Sequence, residues 1–261
     1  MNHVDVKIHE SVATILIDRE EQHGALNPGL LEDLRQALSD LHLENRVRSV
    51  VLTSRGDHFC SGVDLKVFHQ ITQLPDAQQP SQWFEYWRQL AETCEDMLRF
   101  PKPIIAAVDG SVMGAGLSIV LACDLVVASS RSTFSAGAIH RGLVGGMTAA
   151  LIAFRSSASL AARMTLTGME LSAEQFDDAG LLCQRPVAAD QIWVTATQWG
   201  QSCAGGSPHA VAATKRLINE TIGESLLSQI TSAAADGASI CGTESAAEGI
   251  AAFVEKRDPK W

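Results

Sequence analysis

The chain has 261 residues, is 46% hydrophobic and carries a formal net charge of −10. That length suits one large domain, or one domain with a helical appendage, and that hydrophobic content excludes wholesale disorder. The acidic balance argues against a nucleic-acid binder or a polybasic membrane-surface protein, so an anionic ligand must be met by local Lys, Arg and backbone N–H groups.

Val4 to His9 and Val12 to Asp18 read as strands, β-branched and partly alternating, with Glu10-Ser11 as the turn between them. Asn27-Pro28 opens a helix that keeps Leu30, Leu31, Leu34, Leu38 and Leu41 on one face to about Leu43. Val47 to Thr53 reads as a buried parallel strand, ended by Arg55-Gly56-Asp57. A turn at Gly62 follows, then a polar stretch, Gln73 to Gln82, that reads as a mobile loop. Trp83 to Leu98 is expected as a helix, broken by Pro101 and Pro103. Ile104 to Val108 is another buried strand, Gly110 to Ala122 a small-residue turn running into a helix, and Asp124 to Ala128 the next strand. This order predicts an α/β chain with parallel strands joined by right-handed helical crossovers. Beyond Ala150 the apolar period is helical, with Thr165-Leu166-Thr167 and Leu181-Leu182-Cys183 as candidate short strands. Four helices are expected after about Ala188, over 190–203, 209–223, 225–241 and 243–256. The expected division is a core over 1–187 and a helical region over 188–261.

Six cysteines, Cys60, Cys94, Cys123, Cys183, Cys203 and Cys241, form no Cys-x-x-Cys pair, and no His cluster has metal-ligand spacing. Reduced thiols and no metal are the expectation. Met1 to Asp5 lacks a basic or apolar leader, and no apolar run is long enough to span a bilayer, so a cytoplasmic protein is expected.

Two segments carry the chemistry: Phe59-Cys60-Ser61-Gly62-Val63-Asp64-Leu65-Lys66, and Asp109-Gly110-Ser111-Val112-Met113-Gly114-Ala115-Gly116-Leu117-Ser118. Each sets a Gly-containing turn after an apolar run, where small residues let the backbone approach a ligand. With Ala25-Leu26-Asn27, the strand Pro103 to Gly110, Cys123-Asp124-Leu125, and the C-terminal stretches Pro208 to Asn219 and Thr243 to Pro259, the pattern resembles the crotonase family (enoyl-CoA hydratase/isomerase) along almost the whole chain. The resemblance implies a crotonase (ClpP/crotonase-type) spiral of ββα units in two roughly perpendicular sheets, with a C-terminal helical trimerisation region. It implies an acyl-CoA thioester as substrate, with coenzyme A as part of that substrate and no permanently bound cofactor. It implies a homotrimer or a dimer of trimers.

By that resemblance, the N–H groups of Val63 and Ala115 form an oxyanion hole for the thioester oxygen, although the family carries Gly at the second position. Ala25, Leu26, Ser61, Asp64, Lys66, Phe253 and Lys256 fall where the family meets coenzyme A; Asp64 also suits a turn-fixing role. The positions of the two hydratase glutamates read Ser118 and Ala138. A Ser hydroxyl without a partner is no base at neutral pH, and Ala138 offers no proton chemistry. His140 and Tyr86 are candidate replacements, and Trp83, Phe84 and Trp87 candidate walls of an acyl pocket. The expectation is an enolate- or oxyanion-stabilising enzyme of the hydratase/isomerase class that is not a standard hydratase; decarboxylation, thioester hydrolysis or a double-bond shift remain open. The alternative is a non-catalytic acyl-CoA binding protein. A dinucleotide-binding enzyme is disfavoured, because the Gly110 run lacks Gly-x-Gly-x-x-Gly spacing.

Overall fold

The computed structural model describes residues 1–261, apart from the side chains of residues 221 and 222. A five-stranded sheet takes β1 (Val4–His9), β2 (Val12–Ile17), β3 (Ser49–Ser54), β5 (Ile104–Val108) and β7 (Leu125–Ala128) in that order. Only β1 runs antiparallel to its neighbour. A four-stranded sheet takes β4 (His58–Cys60), β6 (Ser111–Met113), β8 (Thr133–Ser135) and β9 (Glu170–Ser172), with β9 antiparallel.

The two orders express one repeated step. In each turn the first strand joins the large sheet, the second joins the small one, and a helix follows. The turns are β3-β4-α2, with α2 at Leu65–Thr72; β5-β6-α4, with α4 at Ala115–Ala122; and β7-β8-α5, with α5 at Gly146–Arg155. This is the expected spiral of ββα units. α1 (Pro28–Leu43) precedes the first turn, its N-cap Asn27 accepting the Leu30 N–H at 2.8 Å, and buries the predicted leucine face.

The large sheet is covered on both faces, which is why β5 reads as an unbroken apolar run. Ile104, Ala106 and Val108 enter the main core, while Ile105 and Ala107 pack with Ile192 and Ala196 of α8 (Ile192–Ala204). The two faces follow the strand period of two.

Three sequence expectations are corrected. The segment expected as a mobile loop is helical from Gln79, where α3 (Gln79–Arg99) begins, and the Gln79 side chain donates to the Leu74 carbonyl at 2.9 Å. Pro80 reads as a breaker, yet proline is tolerated in a first helical turn. Thr165 to Thr167 end α6 (Ala158–Thr167), with the Thr165 hydroxyl bonded back to the Ala161 carbonyl, and the strand is β9 just beyond. Leu181 to Cys183 form no strand. The strands β4, β6 and β8 escape detection because each has three residues, too few to show a period; Ser111 to Met113 reads as part of the turn before α4.

After β9 come α7 (Ala173–Asp178) and α8, then α9 (Pro208–Arg216), α10 (Glu224–Cys241) and α11 (Glu244–Val254). Helix α9 is shorter than expected and passes into a wider turn, Leu217–Ile222. The C-terminal helices pack on this chain's own core. Lys215 of α9 is buried, with Nζ 2.7 Å from Asp124 and donating to the Met97 carbonyl at 3.0 Å. Gly237 of α10 packs on the Trp87 indole, where a Cβ would lie 2.8 Å from the ring, and α11 rests on α2 and on the turn Ala138–Arg141. Among the described residues, no helix is long and apolar enough to cross a membrane.

Candidate functional site

The first turn of interest joins β4 to α2. Gly62 sits at φ +95°, a conformation that side chains rarely adopt. Its carbonyl accepts the Leu26 N–H at 2.8 Å, and the Leu26 carbonyl accepts the Asp64 N–H at 2.9 Å, so Leu26 and Val63 pair as a parallel bridge. The buried Tyr86 hydroxyl donates to the same Leu26 carbonyl. Arg19 pairs with Asp64 at 3.1 Å, both side chains nearly buried, and also donates to the Ala25 carbonyl. Asp64 caps α2 by accepting the Lys66 N–H at 3.1 Å.

The second turn joins β6 to α4. Gly114 has φ 51° and ψ −121°, and its N–H donates to the Ser135 carbonyl at 2.8 Å. Ala115 is the first helical residue, so its N–H has no acceptor within the helix. Among the described residues, neither the Val63 N–H nor the Ala115 N–H has a hydrogen-bond partner. The loops touch: a Cβ on Gly62 would lie 2.9 Å from the Met113 carbonyl oxygen and 3.5 Å from the Ala115 nitrogen. Two free amides, one at a helix start, thus border one cavity, which favours developing negative charge there.

That cavity has a volume of about 530 Å³. Val63, Ala115, Ser118 and Ala138 line it, together with His140. Ala25, Ser61, Asp64, Lys66 and Phe253 line it too. Leu26 does not: its side chain is fully buried, and its backbone braces the first turn. Lys256 lies outside the lining, exposed beyond α11 at φ +53°. Phe253 reaches the cavity because α11 folds over it, with the Arg141 guanidinium 5.4 Å from its ring centre.

The candidate replacements separate. Tyr86 is outside the cavity lining, and burial pushes its phenol well above the usual tyrosine range. His140 is exposed at the rim, its ring against the Gly168 backbone. Among the lining residues the carboxylates are Glu21, which is exposed, and Asp64, which is held by Arg19. Cys60 lies beneath the turns, and burial pushes its thiol to about 12, so it is no nucleophile. Of the three candidate acyl-pocket aromatics, Trp87 lines the cavity, beside Leu90; Trp83 packs in the core 5.0 Å from Phe68, and Phe84 points outward. Thr148 is a lining residue that sequence reasoning missed; its one available signal is its place a turn into the helix opened by Gly145-Gly146. A larger groove of about 720 Å³ lies between α1 and α3, where Arg35 pairs with Glu92 and Asp96; it shares no residue with the turns.

The enoyl-CoA hydratase/isomerase family model matches residues 7–261. Over 251 residues the chain is 30% identical to a probable mitochondrial enoyl-CoA hydratase of Dictyostelium discoideum, covering 96% of this chain and 87% of that protein. An enoyl-CoA hydratase/isomerase from Pseudoalteromonas atlantica T6c superimposes with a TM-score of 0.86 at 28% identity, covering 99% of each chain. A methylmalonyl-CoA decarboxylase in complex with 2-nitronate-propionyl-CoA superimposes with a TM-score of 0.83 at 25% identity, covering 99% of this chain and 98% of that one. A spiral that brings two free amides to one cavity, matched along nearly its whole length, thus places this chain in the enoyl-CoA hydratase/isomerase family, with the crotonase fold.

Proposed function

We propose that the cavity binds an acyl-CoA thioester with its carbonyl oxygen between the N–H groups of Val63 and Ala115, and that the enzyme decarboxylates a malonyl-type thioester rather than hydrating an enoyl one. The observation that carries this is the pair of free amides beside walls with no unengaged, buried carboxylate. Hydration needs a base on water and an acid at Cα, and Ser118 and Ala138 supply neither. Decarboxylation needs no base. The bond from Cα to the leaving carboxylate breaks, its electron pair passes into the thioester as an enolate, and CO2 departs. The amides stabilise the enolate oxygen without reorganising. Trp87, Leu90, Leu143 and Met147 give the cavity an apolar wall, which disfavours the charged carboxylate and favours neutral CO2. A proton then reaches Cα through the rim, where His140 stands. Lys66, in the first turn of α2, is one local cation for a coenzyme A phosphate, with Arg141 also on the cavity wall, set against the chain's net charge of −10. The similarity to a decarboxylase supports this reading.

The test is a substrate panel. Malonyl-CoA and methylmalonyl-CoA should release CO2, while crotonyl-CoA should bind with little hydration. Hydration of crotonyl-CoA as the faster reaction would refute the proposal. Tight binding with no turnover on any member would make the chain a non-catalytic acyl-CoA binder. The family resemblance points to assembly as a homotrimer or dimer of trimers, which analytical ultracentrifugation tests.

A further inference from the structure

The two donor amides are held by different means, and the second depends on a pair of buried hydroxyls. The Gly114–Ala115 peptide presents the free Ala115 N–H on one side and the Gly114 carbonyl on the other. That carbonyl accepts from the Leu117 N–H at 3.0 Å and from Thr148 Oγ1 at 3.3 Å. A carbonyl oxygen only accepts, so the single Thr148 proton points at Gly114. The 2.8 Å contact between Ser118 Oγ and Thr148 Oγ1 then runs from Ser118 to Thr148. Ser118 is 0% exposed and Thr148 4%, so bulk water does not compete for either hydroxyl.

We infer that Thr148, backed by Ser118, is a positioning residue that orients and polarises the Ala115 oxyanion donor. The inference rests on the reading that this N–H meets the thioester oxygen. Gly114, at φ 51° and ψ −121°, has no side chain to fix its peptide plane, so hydrogen bonds must do so. A peptide whose carbonyl accepts hydrogen bonds also donates more strongly from its N–H, because bonds in a buried chain polarise one another. Ser118 thereby has a role other than proton transfer: its proton is committed to Thr148, and its hydroxyl is sealed from solvent.

The test compares two probes on the full-length protein by isothermal titration. Propionyl-CoA presents a neutral carbonyl; 2-nitropropionyl-CoA ionises at Cα to a nitronate, and its charge is shared between the nitro oxygens and the thioester oxygen that an enolate would charge. Thr148→Val should weaken the nitronate about tenfold, the size of one buried hydrogen bond, while shifting propionyl-CoA by less than about twofold. Thr148→Ser should restore nitronate affinity, and Ser118→Ala should weaken it in the same direction by less. With ¹³C-carbonyl propionyl-CoA, the carbonyl stretch should lie below its free value when bound to wild type and rise in Thr148→Val. Equal losses for both probes, no loss, or no rescue by Thr148→Ser would overturn the inference while the oxyanion reading stands. A carbonyl stretch that does not fall when propionyl-CoA binds wild type would overturn that reading and the inference with it. If Thr148→Val does not fold, Ser118→Ala makes the same comparison between probes.

Discussion

The turn bearing Val63 and the turn bearing Ala115 present the same group to the same cavity, and they are built from different materials. The first is braced from far along the chain: Arg19 on Asp64, Tyr86 and Asp64 on Leu26, and Leu26 on Gly62. It contains a nearly buried charge pair. The second is braced without charge: by the Ser135 carbonyl on the Gly114 N–H, by a neighbouring amide, Leu117, and by two neutral hydroxyls. A charged brace is strong only while both partners remain; hydroxyl braces fail in small steps. The two donors should therefore tolerate mutation differently, although they act together.

The largest effect is expected where the difference disappears. Gly62 is the contact between the turns, at φ +95°, with the Met113 carbonyl oxygen 2.9 Å from where a Cβ would sit. Gly62→Ala should push the amides apart and lower kcat/KM on the best substrate of the panel by about 10²–10³, the loss expected for one oxyanion donor. Far-UV circular dichroism should show the fold retained. Activity close to wild type would mean that the turns move independently, and the common cavity edge would lose its meaning.

Asp64→Asn sharpens the comparison from the first side. It leaves the Arg19 guanidinium, 9% exposed at its side chain, without its counter-charge. Removing one member of a buried pair typically destabilises by about 3 kcal/mol. Urea denaturation should show a loss of that order, whereas Thr148→Val, in the α5 brace of the second turn, should lose about 1 kcal/mol. Equal losses would remove the distinction between the braces.

Tyr86→Phe asks whether the first turn's tyrosine is scaffold or chemistry. Its hydroxyl bonds the Leu26 carbonyl, and burial raises its phenol well above the ordinary value, so it stays neutral through the working range. Leu26 keeps the Asp64 N–H when the hydroxyl goes. The expected outcome is about 1 kcal/mol of lost stability and an unchanged pH–rate profile. A profile that loses a limb would return Tyr86 to the candidate catalytic groups.

The same contrast explains what the sequence could reveal. The leucine face of α1, its Asn27 cap and the buried strand Ile104 to Val108 are local patterns, and the structure carries them where they were read. Both Gly turns were legible, because a turn at positive φ calls for glycine, and Gly62 and Gly114 both adopt one. The braces were not. Arg19 and Asp64 are 45 residues apart, and Tyr86 and Leu26 are 60 apart, so no period or spacing joins them. Tyr86 is the one tyrosine of the chain, and only its placement against Leu26 reveals a scaffold residue. Phe84 and Trp87 lie three positions apart on one helix, yet the helix sends one outward and the other into the cavity wall.

The smallest expected effect concerns what ties the two turns together at their far ends. Arg131 donates to Asp57, before the first turn, at 2.9 Å, and to Asp109, before the second, at 2.7 Å. Its side chain is 48% exposed, so the tie contributes less than about 1 kcal/mol. The Arg131 hydrogen bond holds the Asp109 carboxyl below the ordinary carboxylate range. A carboxylate whose folded pKa is depressed stabilises the fold above its unfolded pKa and loses that contribution as pH falls through the folded value. Arg131→Met should therefore melt slightly below wild type at pH 7, and the gap should close in acid, below about pH 4. Thermal melts across that range check the sign. A gap that persists at low pH would mean that the arginine acts through packing of its stem, and that the turns are joined by contact at Gly62 and by the sheet alone.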